Sequence, residues 1–166
     1  MSTAKKNTAR MPPRWFVRLA WVTHRGLYRL SRGRFGLWRP KPDGWGAMRL
    51  TTIGRRTGQE RSVIVGYFED GPQLVTMAMN GWGEGEPAWW LNLQAHADAA
   101  VELKDGTHPV RARAAKGEER ERLWARWRDL GERSGESLMA EIDEYAARLS
   151  RDMAVVVLEP RTDGRS

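Results

Sequence analysis

The sequence predicts an α+β domain built on an antiparallel β-barrel, closed or split, with helices packed outside it. Three observations predict it. Short runs rich in Val, Ile, Leu and Thr alternate apolar and polar residues, as strands with one buried face do. Turns containing Gly and Asp join several of these runs in pairs, so most neighbours are hairpins and few parallel crossovers are needed. Helical stripes fall between and after the pairs, giving the order β-β-β-α-β-β-α-α-β. That order suits a barrel with outer helices.

The 166 residues are enough for one domain with its own core. Hydrophobic residues at 40% and charged residues at 30% are values of a soluble globular protein. No apolar run has the length of a membrane span or a signal-peptide core. Without cysteine the chain has no disulfides, thiolate nucleophiles or cysteine-ligated metals. A cytoplasmic location is expected.

The net charge of +7 divides unevenly. Residues 1–42 hold 11 Lys or Arg and no acid, leaving 17 basic residues against 21 acidic ones in the rest. Three parts are therefore expected: a basic arm and connector over 1–42, a barrel domain over 43–160 and a polar tail over 161–166. Because the positive charge belongs to one segment, specific nucleic-acid binding is not expected. An Arg-rich, acid-free start also suits an organelle transit sequence.

In chain order, a polar lead ends at Pro12-Pro13, and Arg14 to Arg32 follows a helical period. Trp15, Leu19, Val22 and Leu30 share one face, and Arg18, Arg25, Arg29 and Arg32 another. Two readings fit this basic amphipathic helix: a first helix packed on the barrel, or a contact with an anionic membrane surface at the inner face of the cell membrane. A Gly/Pro-rich connector with Trp38 and Trp45 follows.

Arg49 to Ile53 is the first strand, with Met48, Leu50 and Thr52 on one side and Arg49 and Thr51 on the other. Ser62–Phe68 and Gln73–Met79 form a hairpin through Glu69-Asp70-Gly71-Pro72. Asn80 to Gly85 is a glycine-dense loop, and Pro87 opens a helix over Ala88 to His96. Ala99–Leu103 and Val110–Ala114 pair through Lys104-Asp105-Gly106. Gly117 opens a helix striped by Leu123, Trp124, Trp127 and Leu130. Leu138, Ile142, Tyr145 and Leu149 stripe a second helix, joined to the first near Gly131 to Gly135. Met153–Leu158 is the last strand, stopped by Pro160.

The chemistry concentrates after the first strand. Gly54 and Gly58 bracket Arg55, Arg56 and Thr57, and Arg61 follows three residues later. Two readings stand side by side. G-R-R-T-G is an ordinary polar hairpin turn, or it is a loop whose free backbone amides and guanidiniums cradle a phosphate. The three histidines, His24, His96 and His108, lack ligand spacing, and no metal site is expected.

The wider sequence favours the second reading. Leu50-Thr51-Thr52-Ile53-Gly54-Arg55-Arg56-Thr57-Gly58-Gln59-Glu60-Arg61 matches throughout the pattern L-T-T-x-G-R-[KR]-[ST]-G-x-x-R. That pattern opens the cofactor site of the deazaflavin-dependent nitroreductase and quinone reductase family, which this chain resembles. Asn80-Gly81 and Pro87-Ala88-Trp89-Trp90-Leu91-Asn92-Leu93 resemble the family's A-S-N-G-G and H-P-A-W-Y-x-N-L, and Val155 to Pro160 resembles its ending. The resemblance covers roughly residues 47 to 160.

It implies an FMN-binding split-barrel-like fold, reduced coenzyme F420 as hydride donor, and small hydrophobic acceptors such as quinones, nitroaromatics and conjugated enones. Arg55, Arg56, Thr57, Gly58 and Arg61 would meet the anionic tail of the cofactor. Met77, Ala78, Asn80 and Gly81 would line its ring edge, with backbone N–H groups free to bond the ring. Trp89 would stack on a flat acceptor, or it faces the core with Leu93. Tyr145, where relatives carry a tyrosine that closes the substrate pocket, would donate a proton or pack.

Three departures bear on the acceptor. Met79 replaces the usual serine before Asn-Gly, Glu86 the usual histidine, and Ser137 to Tyr145 a tyrosine-rich segment. The alternatives are the same barrel using FMN, or a non-catalytic module that holds a deazaflavin or a lipid.

Overall fold

The computed structural model describes residues 37–40, 44–81, 83–134 and 142–161. The expected basic helix over 14–32, Trp82, Leu138 with the connection after Ser134, and the end of the tail lie outside them.

Alternation in the sequence becomes a two-sided wall. Strands β1 (Gly46–Ile53), β2 (Glu60–Asp70), β3 (Gln73–Met77), β4 (Asp98–Leu103), β5 (Gly106–Ala114) and β6 (Val155–Pro160) close a barrel in the order β1-β2-β3-β6-β5-β4. Every pairing is antiparallel, and β1 closes on β4 through Arg49↔Glu102 to Thr52↔Ala99. Helix α1 (Ala88–Ala95) lies between β3 and β4, and α2 (Gly117–Ser134) and α3 (Ile142–Arg148) between β5 and β6.

Two apolar clusters share the wall. Met48 and Leu50 of β1, Leu74 of β3, and Val156 and Leu158 of β6 belong to one, with Trp89, Trp90 and Leu93 of α1. Val75 and Met77 of β3, and Val155 and Val157 of β6, belong to the other, with Leu123, Trp127 and Leu130 of α2 and Ile142 and Tyr145 of α3. Successive residues of a strand point to opposite faces. A strand covered on both sides must therefore be apolar throughout, which is why Val155-Val156-Val157-Leu158 carries no polar residue.

Several boundaries differ from expectation. β5 begins at Gly106, because Pro109 sits opposite Ala100 in the β4 pairing while the β6 pairing starts only at Val110↔Pro160. Pro109 is tolerated at the end of the β5–β6 ladder, where its carbonyl still accepts from the Arg161 amide at 3.0 Å. β6 starts at Val155 and includes Pro160, its last paired residue. β3 stops at Met77, where the Met79 amide turns back to the Met77 carbonyl at 2.7 Å. Trp38 in the connector pairs with Ala47 of β1, and its indole N–H donates to the Trp45 carbonyl.

Candidate functional site

The arginine turn lies between β1 and β2, and its conformation follows from its glycines. Gly58 has φ 67°, a left-handed conformation that glycine takes without a Cβ clash. Its amide donates to the Gly54 carbonyl at 2.7 Å, the Thr57 amide to the same carbonyl at 3.3 Å, and the Gly54 amide to the Gln59 carbonyl at 2.8 Å. The expected cradle of free amides is therefore corrected: three of these amides close the turn on itself. What the turn offers outward is side chains, and Arg55, Arg56, Thr57 and Arg61 are all exposed.

Their charge is not cancelled locally. Arg55 Nη1 and Arg61 Nη2 reach only the amide oxygens of Asn92 and Gln59, and no carboxylate pairs with Arg55, Arg56 or Arg61 among the described residues. Elsewhere the pairing is dense. Arg49 pairs with Glu102, Arg111 and Arg161 with Asp98, Arg113 with Glu119 and Glu159, and Arg122 and Arg126 with Asp70.

Asn92, which the sequence reading quoted only as part of a motif, anchors this turn. It is buried on α1. Its Oδ1 accepts from the Arg55 backbone N–H at 3.2 Å and from Arg55 Nη1 at 3.4 Å, while its Nδ2 donates to Thr52 Oγ1 at 3.1 Å. Thr52 Oγ1 donates in turn to the Arg61 carbonyl at 3.3 Å. One amide side chain thus links the helix, the end of β1 and both flanks of the turn.

The second group of expected residues follows β3. Met77 and Ala78 are buried, in different clusters, and Asn80 and Gly81 are exposed. The Ala78 amide donates to the Ala154 carbonyl at 2.9 Å and the Met79 amide to Met77. Neither is free for a ligand, a second correction to the expected lining of amides. Gly81 has φ 49°, and the Gly83 amide closes the loop on the Asn80 carbonyl at 2.7 Å.

Tyr145 is buried on α3 and donates its hydroxyl proton to the Gly83 carbonyl at 2.8 Å. Burial raises its pKa above the ordinary tyrosine value, partly offset by the nearby Arg151 charge and a backbone hydrogen bond from Asn80. The phenol therefore stays protonated at neutral pH. Arg151, which no pattern singled out, holds the same loop through the carbonyls of Ala78, Glu84 and Gly85. Its only signal in the sequence is a basic residue between a helix and a buried strand, which is too common to notice.

The three residues expected at the acceptor do not share one cluster. Met79 packs against the cluster that contains Tyr145, whereas Trp89 is buried in the other, with Trp90 at 6.4 Å between ring centroids. Trp89 is 7% exposed and Leu93 lies in the same cluster, so the packing reading of this pair describes where they sit. Among the described residues no group of three or more His, Asp or Glu is placed to hold a metal.

The closed six-stranded antiparallel barrel, with helices inserted between β3 and β4 and between β5 and β6, is a split-barrel fold. Two solved structures share this fold. One, described as an F420-H2 dependent reductase (FDR-A), has a TM-score of 0.58 at 24% identity, covering 75% of this chain and 100% of that one. The other, described as a domain-swapped dimer, has a TM-score of 0.61 at 24% identity, covering 86% and 99%.

Sequence narrows the class. The family model for F420H(2)-dependent quinone reductase matches residues 21–160, and the chain belongs to that family. It is 28% identical over 153 residues to the F420H(2)-dependent quinone reductase Rv1261c of Mycobacterium tuberculosis (strain ATCC 25618 / H37Rv), covering 89% of this chain and 97% of that protein.

Proposed function

We propose that this protein binds reduced coenzyme F420 and reduces a hydrophobic conjugated acceptor, a quinone foremost. The observation that carries the reading is the arginine turn: the guanidiniums of Arg55 and Arg56 on the turn and of Arg61 at the start of β2, all exposed and without a carboxylate partner among the described residues. A chain that pairs its other barrel arginines so thoroughly leaves this turn cationic, which suits a ligand bringing its own phosphate and carboxylates.

Arg55, Arg56, Thr57, Gly58 and Arg61 would hold the anionic tail, with Asn92 fixing the turn against α1. Asn80 and Gly81 would lie at the ring side, and buried Met77 and Ala78 would shape the wall beneath them. When bound, the reduced deazaflavin supplies the hydride, so the protein needs no nucleophile of its own. A quinone that takes a hydride also takes one proton to become the hydroquinone. The share of this chain is to hold the acceptor close and dry. Met79, half-buried beside the cluster of Tyr145, offers a thioether surface to an apolar acceptor.

The test is a direct one. Purified protein is titrated with reduced F420 and separately with FMN, and cofactor oxidation is followed after adding a soluble quinone. Tighter binding of F420 and quinone-dependent oxidation are expected. Equal or tighter FMN binding, or no oxidation, overturns the reading.

A further inference from the structure

Loops rich in glycine have no conformation of their own, and the segment from Ala78 to Gly85 contains three glycines in eight residues. Something else must fix it. Beyond the internal bond from the Gly83 amide to the Asn80 carbonyl, its side-chain hydrogen bonds come from α3 and the region between α3 and β6. Arg151 Nε donates to the Glu84 carbonyl at 3.1 Å, and Arg151 Nη2 to the carbonyls of Gly85 at 3.1 Å and Ala78 at 3.3 Å. Tyr145 adds the Gly83 carbonyl. One guanidinium therefore bridges the first residue of the loop and its last two, while the phenol holds the middle.

Arg151 does this with no carboxylate partner among its described hydrogen bonds, and its Nε–Nη2 edge is committed to carbonyl oxygens of the loop, while the buried Nη1 bonds nothing among the described residues. Both ends of the loop are bound to one rigid planar group, which fixes their separation. Arg151 also lines a cavity of about 320 Å³ between α2, α3 and the approach to β6, together with Arg120, Trp124 and Ala146. The guanidinium thus stands between that cavity and the loop.

We propose that Arg151 is the positioning residue of the glycine loop. It acts through the carbonyls of Ala78, Glu84 and Gly85 to place Met79, Asn80 and Gly81 for the reaction, and touches neither cofactor nor acceptor itself. The inference rests on the reading of this loop as the ring-side wall of the site. If it holds, loss of the fork loosens the loop and slows reduction, while the cofactor tail, held far along the chain at Arg55 to Arg61, binds as before.

The experiment uses the full chain with Arg151→Lys and Arg151→Ala. Hydrogen exchange is measured without cofactor on peptides covering 78–85 and on peptides from β1 and β6. Exchange in 78–85 should rise about tenfold in both variants, the effect of losing a net contact to a charged donor, with the strands unchanged. Arg151→Ala should regain protection in millimolar guanidinium chloride, far below denaturing concentration, because the cavity gives a free guanidinium access to the vacated position. With reduced F420 and a soluble quinone, kcat should fall about tenfold with the F420 Kd within about twofold of the parent.

Unchanged exchange in 78–85 overturns the proposal. So does a rise shared by β1 and β6 without rescue, which marks a residue that only supports the fold, and so does a cofactor Kd that weakens in step with kcat. If the parent protein itself fails to oxidise reduced F420, the functional reading falls, and the exchange and rescue measurements still decide whether Arg151 sets the loop.

Discussion

The side-chain carbonyl of Asn92, buried on α1, accepts the backbone N–H of Arg55 at 3.2 Å. A buried amide that bonds Arg55 and Thr52 together makes the orientation of the arginine turn depend on the helix. Asn92→Ala leaves the Arg55 amide without its acceptor and takes from the Thr52 hydroxyl the donor it accepts. Stability should fall by about 1–3 kcal/mol. F420 affinity should fall about tenfold as the turn loses its support. Asn92→Asp keeps an acceptor for Arg55 but loses the Nδ2 donor to Thr52, and it should weaken F420 binding, since a carboxylate beside Arg55 neutralises part of its charge. Chemical denaturation and cofactor titration of the two variants check both statements. Equal F420 affinity in all three proteins would falsify the link.

Arg55 and Arg56 are exposed and pair with no carboxylate among the described residues. Their removal should therefore spare the fold and strike binding. Replacing both by Ala is expected to weaken F420 binding by roughly 2–5 kcal/mol, taking each charge-assisted contact at about 1.5–3. The melting temperature should move little. Affinity of the parent protein should also fall as salt rises, because exposed charges are screened within about 10 Å at 0.1 M. A dissociation constant indifferent to both changes would return G-R-R-T-G to an ordinary turn.

The barrel was legible because its strands announce themselves by period and by their turns. Met48, Leu50 and Thr52 are fully buried as the alternation requires, and Asp105-Gly106 turns β4 into β5. Strand ends were less legible, since they depend on which neighbour is present: Pro109 is tolerable because it stands at the end of the β5–β6 ladder, past the Val110↔Pro160 pair. At the site, the arginine turn was visible as a motif, but the fate of its amides was not. Whether an N–H closes a turn or faces a ligand is set by carbonyls such as those of Gly54 and Gln59, whose direction no residue type encodes. Arg151 and Asn92 were invisible as anchors for a related reason. Both act through loops distant in sequence, Arg151 across 66 to 73 residues and Asn92 across 37.

The resemblance puts Met79 at the family's usual serine before Asn-Gly. Met79 packs partly against the cluster that includes Tyr145 and follows the buried pair Met77 and Ala78. Met79→Ser replaces a polarisable apolar group with a hydroxyl able to donate to a carbonyl or nitro oxygen. Relative rates should shift toward nitro and polar quinone acceptors while the F420 Kd stays nearly constant. Competition between a polar and an apolar quinone measures the shift. A changed cofactor constant with an unchanged acceptor ratio places Met79 on the cofactor side instead.

Asp70 ties the β2–β3 turn to α2. Its oxygens accept from Arg122 at 3.0 and 2.9 Å and from Arg126 at 3.0 Å, and Arg126 also lies over the Phe68 ring. The hydrogen bond from Arg122, opposed by burial and aided by the charges of both arginines, holds the Asp70 carboxyl below the usual aspartate pKa. A pKa depressed in the folded state contributes stability that is fully present above the unfolded aspartate value, near 3.9, and is lost as pH falls through the folded one. Asp70→Asn keeps the shape and removes the charge. At pH 7 it should destabilise the barrel by about 1–2 kcal/mol, within the range for hydrogen bonds to a charged group with partly exposed partners. The difference between parent and variant, measured by urea unfolding at stepped pH, should hold constant from pH 7 to about pH 5 and shrink below the unfolded value. A difference that stays constant down to pH 2 would assign the loss to packing at the turn rather than to the carboxylate.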